Sequence, residues 1–170
     1  MDELNFAYLA GYIDGDGCFY IDTVKAKTGI FPVTHRTVVK FASVDESIMK
    51  WLHDFLGIRY WIKCVSKKRQ HLNRRDVFEA NVTGECLDML LKRIRPYLRI
   101  KKQHCEIMIK MRETYVKPTK GVIRTQLLPE IYQLRCDCHL LLSSINTHKL
   151  KKPSAMSPSS CSLGLPCQSE

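Results

Sequence analysis

Residues 9–17 read Leu-Ala-Gly-Tyr-Ile-Asp-Gly-Asp-Gly and stand between an apolar, helix-like segment and a segment that alternates like a β-strand. Residues 4–14 have helical character and carry small residues at several positions. Gly11 and Gly15 are four residues apart, so they place a stripe without side chains on one face of that helix. Because a glycine costs a soluble helix about 1 kcal/mol relative to alanine, we expect the stripe to allow close approach of a second backbone.

Length and charge restrict the class of protein. The 170 residues suffice for one domain with its own core. Lys and Arg number 27 against 17 acidic residues, a net charge of +10, which indicates a polyanionic partner. Residues 1–22 nevertheless carry five acids and no Lys or Arg. Acids kept apart in a basic protein suggest a bound metal ion; a solvated acidic N-terminus explains Asp2 and Glu3, but explains Asp16 poorly.

The sequence shows no run of about 18 apolar residues and no charged leader followed by an apolar stretch, so we expect neither a membrane span nor a secretory signal. Eight cysteines are scattered without a pairing framework, mostly in apolar periodic segments, which favours reduced thiols and an intracellular, reducing compartment such as an organelle or wherever the host genome resides. Cys136-Asp-Cys138-His139 is an alternative zinc cluster, but no second ligand pair follows at finger spacing.

The periodicity predicts an α+β domain with antiparallel hairpins rather than a doubly wound sheet. Residues 1–150 form this domain, and the Ser- and Pro-rich residues 151–170 are expected to be a disordered tail. Ser43 and Glu46 match a capping box at the start of the second helix. The expected order is helix 4–14, strands 18–25 and 35–43, a helix to about 56, strands 60–65 and 76–83, a helix ending at Pro96, and helices 102–115 and 129–150.

Asp16 follows the end of the first helix, where the helix dipole places about half a negative charge. Two such ends brought together would form a negative pocket that repels phosphate unless cations occupy it. Hard divalent ions prefer oxygen ligands such as the Asp16 carboxylate and the carbonyl of Gly15. A lone Asp in a Gly-rich turn is also a common turn-former, so these residues alone leave both interpretations open.

The nine residues resemble the signature of the LAGLIDADG homing endonucleases, differing mainly at Tyr12, which is usually Leu, and at Gly15, a common variant of Ala. The motif occurs once, which in that family goes with a homodimer when the chain is this short. The αββαββα order, over roughly residues 4–115, is also the family's. The resemblance implies a saddle-shaped antiparallel sheet that lies in the DNA major groove, and motif helices that meet at the dimer interface through residues including Ala10, Gly11 and Asp14.

By position, the resemblance makes Asp16 the catalytic, metal-binding acid and Gly15 a carbonyl ligand, with Mg²⁺ the expected ion and Ca²⁺ or Mn²⁺ able to replace it. Asp45 occupies the position of a polar residue that orients water, although a carboxylate in a first helical turn is equally explained by the helix dipole. The segment from Pro96 to Lys102 resembles one that carries a basic catalytic residue. Lys101 is our choice, in competition with Arg99 and Lys102.

For DNA recognition, basic side chains on the strand faces opposite the inferred core are expected to reach guanine, and acidic ones to accept from cytosine. Further bases in loops and helices are expected to hold phosphates. The predicted base-contacting residues are Tyr20, Asp22, Arg36, Val38, Lys40, Lys63, Arg75 and Glu79, and the phosphate-contacting residues are Lys67, Lys68, Arg69, Lys110, Arg112 and Lys117.

The expected function is that of an intron-encoded, divalent-metal-dependent endonuclease that acts as a homodimer. It would hydrolyse both strands of a long pseudo-palindromic double-stranded DNA site of about 20 bp, with no membrane partner and no small-molecule substrate. The alternatives are an RNA maturase that assists intron splicing, a DNA-binding protein of the same fold that does not cut, or an unrelated basic nucleic-acid binder in which the Gly-rich turn is structural.

Overall fold

A computed structural model describes residues 2–26, 31–63, 76–115 and 128–148. The predicted α+β order is confirmed in these residues. The helix predicted over 102–115 ends two residues earlier, at Glu113. The predicted ends of the third strand and of the last helix fall outside the described residues, as does the predicted tail 151–170. The elements are α1 (Asp2–Gly15), β1 (Cys18–Lys25), β2 (Val33–Ser43), α2 (Glu46–Leu56), β3 (Tyr60–Lys63), β4 (Val77–Val82), α3 (Gly84–Ile94), α4 (Lys102–Glu113) and α5 (Pro129–His148).

The strands form one antiparallel sheet in the order β1-β2-β4-β3. Successive side chains of a strand point to opposite faces, and this alternation fixes which residues reach the core. The predicted inward residues of the first two strands are buried, as expected: Phe19, Ile21, Thr37, Val39 and Phe41. The opposite face carries Tyr20 paired with Val38, and Asp22 paired with Arg36.

The helices form a layer on the inward face of the sheet. α1 packs on α3, α3 on α4, and α4 on α5, while α4 and α5 both contact β1 and β2. Phe6, Leu9, Ala10 and Ile13 of α1 enter the core. Within the described part of the chain, no helix combines the length and the apolar character needed to cross a bilayer.

The start of α2 differs from the predicted capping box. β2 continues through Ser43, and the N-cap is Asp45, whose carboxylate accepts a hydrogen bond of 2.8 Å from the Ser47 N–H. The Ser43 hydroxyl instead accepts from the Asp45 N–H at 2.9 Å. Glu46, predicted to bond back to the cap, pairs with Lys50 and accepts from the Tyr60 hydroxyl. Asp and Ser are similarly good caps, so the end of the strand decides between them.

The thiols of the described residues are free, and that of Cys138 is buried in the core. The described residues contain no group of three or more His, Cys, Asp or Glu side chains that could hold a metal ion. The buried, free thiol of Cys138 agrees with the reduced-thiol interpretation of the Cys136–His139 segment.

Candidate active site and DNA-facing sheet

Asp16 lies on the protein surface at the turn that carries the chain from α1 into β1. The turn is closed by two N–H groups, those of Asp16 at 2.9 Å and Gly17 at 3.3 Å, which both donate to the Tyr12 carbonyl. A Cβ on Gly17 would lie 2.7 Å from the Cα of Ile13, so this position has room only for glycine. The last glycine of the motif thus allows the tight turn that leaves the Asp16 carboxylate exposed.

Tyr12, the main departure from the usual motif, connects α1 to the end of β2. Its ring stacks on Phe41 with centroids 5.9 Å apart, and its hydroxyl donates to the Ala42 carbonyl at 3.1 Å. Burial and the negative charge of Asp16 raise the pKa of Tyr12, so the hydroxyl keeps its proton at neutral pH. Sequence reasoning missed this role; the signal was a hydroxyl-bearing residue at an otherwise aliphatic position of the motif.

Lys101 lies at the C-terminal end of α1. Its ammonium donates to the carbonyls of Ile13 at 2.7 Å, Gly15 at 3.3 Å and Gly17 at 2.7 Å. The first two carbonyls belong to the last turn of α1, where the dipole is negative and a cation is stabilising, and that of Gly17 belongs to the turn that follows. The Lys101 ammonium thus contacts the carbonyls on both sides of Asp16 in the chain. The choice of Lys101 over Arg99 and Lys102 as a catalytic residue stays a prediction.

Asp14 makes the reciprocal contact. Its carboxylate accepts from the backbone N–H groups of Arg99 at 2.7 Å, Ile100 at 3.2 Å and Lys101 at 2.8 Å, at the start of α4. Burial raises the pKa of Asp14, but these three bonds outweigh it and lower the pKa below its ordinary value. Asp14 was predicted to lie at a dimer interface; within the single chain it joins the C-terminus of α1 to the N-terminus of α4 and so positions Lys101.

Asp45 has a structural role in this conformation. The N–H of Ser47 lowers the pKa of the Asp45 carboxyl, as expected for an N-cap. This is the alternative that the sequence left open, and a part for Asp45 in orienting water stays a prediction.

The outward face of the sheet is lined by ion pairs. Arg36 bonds Asp22 at 2.8 Å, and Glu79 bonds Lys40 at 2.8 Å and Lys63 at 3.2 Å. Five of the eight residues predicted to read bases are therefore already paired with one another. Of the remaining predicted DNA-contacting residues, Lys67, Lys68, Arg69, Arg75 and Lys117 lie outside the described residues.

Two of the predicted DNA contacts are buried or paired within the chain. Val38 points to the outward face, yet its side chain is completely buried, so it has no surface for DNA to contact. Arg112 forms a bidentate pair with Asp88 at 2.6 and 2.7 Å and stacks on the Tyr115 ring, so its charge is used within the chain. Lys110 is exposed on α4.

The helix α1 has apolar residues on every side, and one side is exposed. Leu4 is 81% and Tyr8 56% exposed, and Gly11 and Gly15 lie on the surface with open space where a Cβ would be. Ala10, predicted to lie at the dimer interface, is instead completely buried in the chain's own core. The prediction was wrong for Ala10, because small size alone does not tell which face of an apolar helix meets the core.

Comparison with known families identifies this arrangement. Residues 9–105, more than half of the chain, match the family described as LAGLIDADG endonuclease. The chain belongs to the LAGLIDADG family. No curated protein sequence matches it.

Solved structures of LAGLIDADG homing endonucleases share the fold. I-CvuI in complex with its target in the presence of Ca aligns with a TM-score of 0.61 at 19% identity, covering 91% of this chain and 88% of that chain. The archaeal intron-encoded I-Vdi141I, complexed with DNA, aligns with a TM-score of 0.56 at 13% identity, covering 82% and 99%. I-SmaMI bound to uncleavable DNA aligns with a TM-score of 0.55 at 18% identity; the match covers 79% of this chain and 43% of that longer chain.

The donor set at Asp16 fits a hard divalent cation in part. An exposed carboxylate and a helix-terminal carbonyl at Gly15 are suitable oxygen ligands. One chain supplies too few of them for six-fold coordination, so a second copy, substrate phosphate or water would have to complete the shell. The Lys101 ammonium, 3.3 Å from the Gly15 carbonyl, already meets part of the negative potential there.

Proposed function

We propose that this LAGLIDADG protein is a homing endonuclease that binds a long pseudo-palindromic double-stranded DNA site as a homodimer and hydrolyses a phosphodiester bond on each strand. The observation that carries the proposal is the exposed Asp16 carboxylate at the end of α1, close to the Lys101 ammonium and to Gly11 and Gly15, which leave open space on that helix face. A carboxylate, an ammonium group and a helix face open to a second copy are thus found together at one end of α1.

The proposed dimer follows from the surface of α1. A helix that is apolar all round is normally buried on all sides, whereas among the described residues the exposed side of α1 is covered only in part, by the contact of Tyr8 with Trp51. Gly11 leaves room for a close backbone. Tyr97 and Ile100, in the loop that Asp14 holds against α1, are also large apolar side chains with exposed surface. A second copy packed on this face would bring the two Asp16 residues together at the two-fold axis.

The chemistry assigned to the chain's own residues is limited and specific. Asp16 and the Gly15 carbonyl would hold a divalent ion, which when bound supplies a Lewis acid for phosphodiester hydrolysis. Lys101 offsets the negative end of α1, so that a phosphate can approach. The charged outward face of the sheet would lie against the duplex. I-CvuI and I-Vdi141I were crystallised with DNA, and I-CvuI in the presence of Ca or Mg, which supports DNA binding and a divalent ion.

The test is Asp16→Asn, which keeps the shape of the side chain and removes its charge. The substrate is a duplex that the wild-type protein selects from a randomised DNA library. We expect its cleavage in Mg²⁺ to fall by at least about 100-fold, while binding of the same duplex changes by only a few-fold. Asp54→Asn, on the exposed surface of α2, is the matched control and should cut like the wild type. Normal cutting by Asp16→Asn would refute the site.

The same experiment separates the alternative functions. A wild-type protein that binds one DNA sequence tightly but never nicks it in Mg²⁺ would be the non-cleaving DNA-binding protein. A protein that prefers a structured intron RNA over any duplex would be the maturase. Sedimentation of the free protein as a monomer at micromolar concentration would contradict the dimer.

A further inference from the structure

Glu79 lies at the centre of a diagonal row of charges across three strands of the sheet. On β4 it pairs with Ala42 of β2 on one side and Trp61 of β3 on the other. Lys40 lies opposite Asn81 and Lys63 lies opposite Val77, two residues from Glu79 along β4 in opposite directions. Both lysines are thus at diagonal positions, from which long side chains can reach Glu79. The Lys40 ammonium bonds Oε2 at 2.8 Å, and the Lys63 ammonium bonds Oε1 at 3.2 Å. Each carboxylate oxygen thus has its own lysine.

The two lysines are not equally free to leave. The side chain of Glu79 is 10% exposed, that of Lys40 28% and that of Lys63 64%. Lys40 lies on β2 between two neighbouring strands, whereas Lys63 lies on the edge strand β3. Lys63 therefore gives up a longer, more solvated contact, and it can move towards a ligand at lower cost than Lys40.

Glu79 cannot lose both partners. Burial raises the pKa of Glu79, but the hydrogen bonds and charges of Lys40 and Lys63 outweigh it and lower the pKa, so the group is ionised at neutral pH. A buried carboxylate without a counter-charge is strongly destabilising, and a nearby polyanion would make it worse. Lys40 thus has to stay when a duplex approaches, and Lys63 is the lysine that can exchange.

We propose that Glu79 is a specificity-determining residue: it keeps Lys40 on the sheet and exchanges Lys63 for the amino group of a cytosine, which sends Lys63 to a guanine. This inference rests on the proposed DNA-binding function. The freed Oε1 atom is an acceptor, and in the major groove cytosine presents the N4 amino donor, whereas thymine and guanine present only acceptors there. Adenine offers a donor beside the N7 acceptor, which repels a carboxylate. Lys63 meets the O6 and N7 acceptors of guanine.

The prediction concerns one position or two adjacent positions in each half-site, and Glu79→Gln tests it. Gln has the same shape but both donates and accepts, and it no longer binds two ammonium groups. We would select full-length protein on randomised duplexes with a chelator present, so that binding is scored without cutting. The wild type should prefer G·C pairs at these positions, and Glu79→Gln should lower that preference by about tenfold while other positions keep theirs.

Two further variants sharpen the test. Lys63→Met, at an exposed edge position, leaves the core intact and should relax the same or the adjacent base pair, even if Glu79→Gln folds poorly. Glu46→Gln is the matched control, because Glu46 also bonds a lysine but lies on α2 rather than on the sheet face. It should leave all base preferences unchanged.

The outcomes separate this inference from the proposed function. If the wild type selects a target and Glu79→Gln selects it with unchanged preferences, Glu79 does not determine specificity, and DNA binding stands. If Glu79→Gln binds every sequence more tightly by the same factor, Glu79 acts only as a charge that repels DNA, and the inference is overturned. A wild type that selects no DNA would overturn both.

Discussion

Replacing Asp14 by Asn tests whether the contact between α1 and α4 holds the candidate site together. The Asp14 carboxylate accepts from three consecutive backbone N–H groups, those of residues 99, 100 and 101. Asn keeps one acceptor oxygen but presents an amide N–H₂ to the remaining donors. It also removes the negative charge at the start of α4, where the helix dipole favours an anion.

The expected cost of Asp14→Asn is about 1–2 kcal/mol of unfolding free energy. A hydrogen bond to a charged group is worth about 1.5–3 kcal/mol when sheltered, but Asp14 is only partly buried, and solvent screening lowers that value. The loss of a side-chain cap, about 1 kcal/mol, is the closer comparison. Because two short bonds and one longer one are involved, the loss should exceed that of a single cap.

The effect depends on pH with a definite sign. The three N–H groups hold the pKa of Asp14 in the folded chain below its ordinary value of 3.8. A carboxyl with a lowered folded pKa contributes stability above its unfolded pKa and loses it as the pH falls through the folded pKa. The difference between wild type and Asp14→Asn should therefore be complete at pH 7 and begin to shrink below about pH 4, where the carboxyl of the unfolded chain takes up a proton. It should be lost as the pH falls through the still lower folded pKa.

Urea unfolding followed by circular dichroism, at one fixed protein concentration, measures this difference. Asp137→Asn is the control, because Asp137 accepts from the side chain of Gln133 and not from a helix start. It should change the unfolding free energy by less than about 0.5 kcal/mol. Equal stability of Asp14→Asn and wild type at pH 7, or a difference that stays the same at low pH, would refute the reasoning.

Two other changes probe the motif directly. Gly17→Ala would place a Cβ 2.7 Å from the Ile13 Cα and should cost about 1–3 kcal/mol in thermal or urea unfolding; Gly11→Ala, with open space around it, should leave the folding of the chain intact but weaken self-association in sedimentation. A Gly11→Ala protein that associates like the wild type would exclude this face as the interface. Lys101→Met removes the ammonium from the three carbonyls at the end of α1 and should slow single-turnover cleavage by about 100-fold with little loss of DNA binding; unchanged cleavage would show that Lys101 only stabilises the helix.

The strand faces could be predicted from the sequence because the side-chain period of a strand is two. Phe19 and Ile21 reach the core, and their neighbours point outward, as the alternation requires. Accessibility does not follow from direction, however. Val38 points outward and is still buried, which the alternation alone does not predict. The ion pairs of the outward face were not predicted either, because they follow from the strand order and register, which the alternation of side chains does not give.

The helix α1 shows another limit of the sequence. Its apolar residues surround the axis, so no amphipathic stripe distinguishes the face that meets the core from the face left open. Ala10 and Gly11 are neighbours of similar size, yet the structure buries Ala10 and exposes Gly11. The packing of α1 on α3, α2 and β2 decides between them. A motif that is read as one unit therefore has residues with different roles.

The contacts that build the candidate site join residues more than 80 positions apart, and no local pattern announces them. Asp14 binds the positive end of α4, and Lys101 binds the negative end of α1, so each helix end receives a counter-charge from the other. These two reciprocal contacts stabilise both helix ends without Asp16. Asp16 is therefore the motif carboxylate that these contacts leave unused on the surface. This is the physical reason to assign the chemistry to Asp16 and the positioning of Lys101 to Asp14.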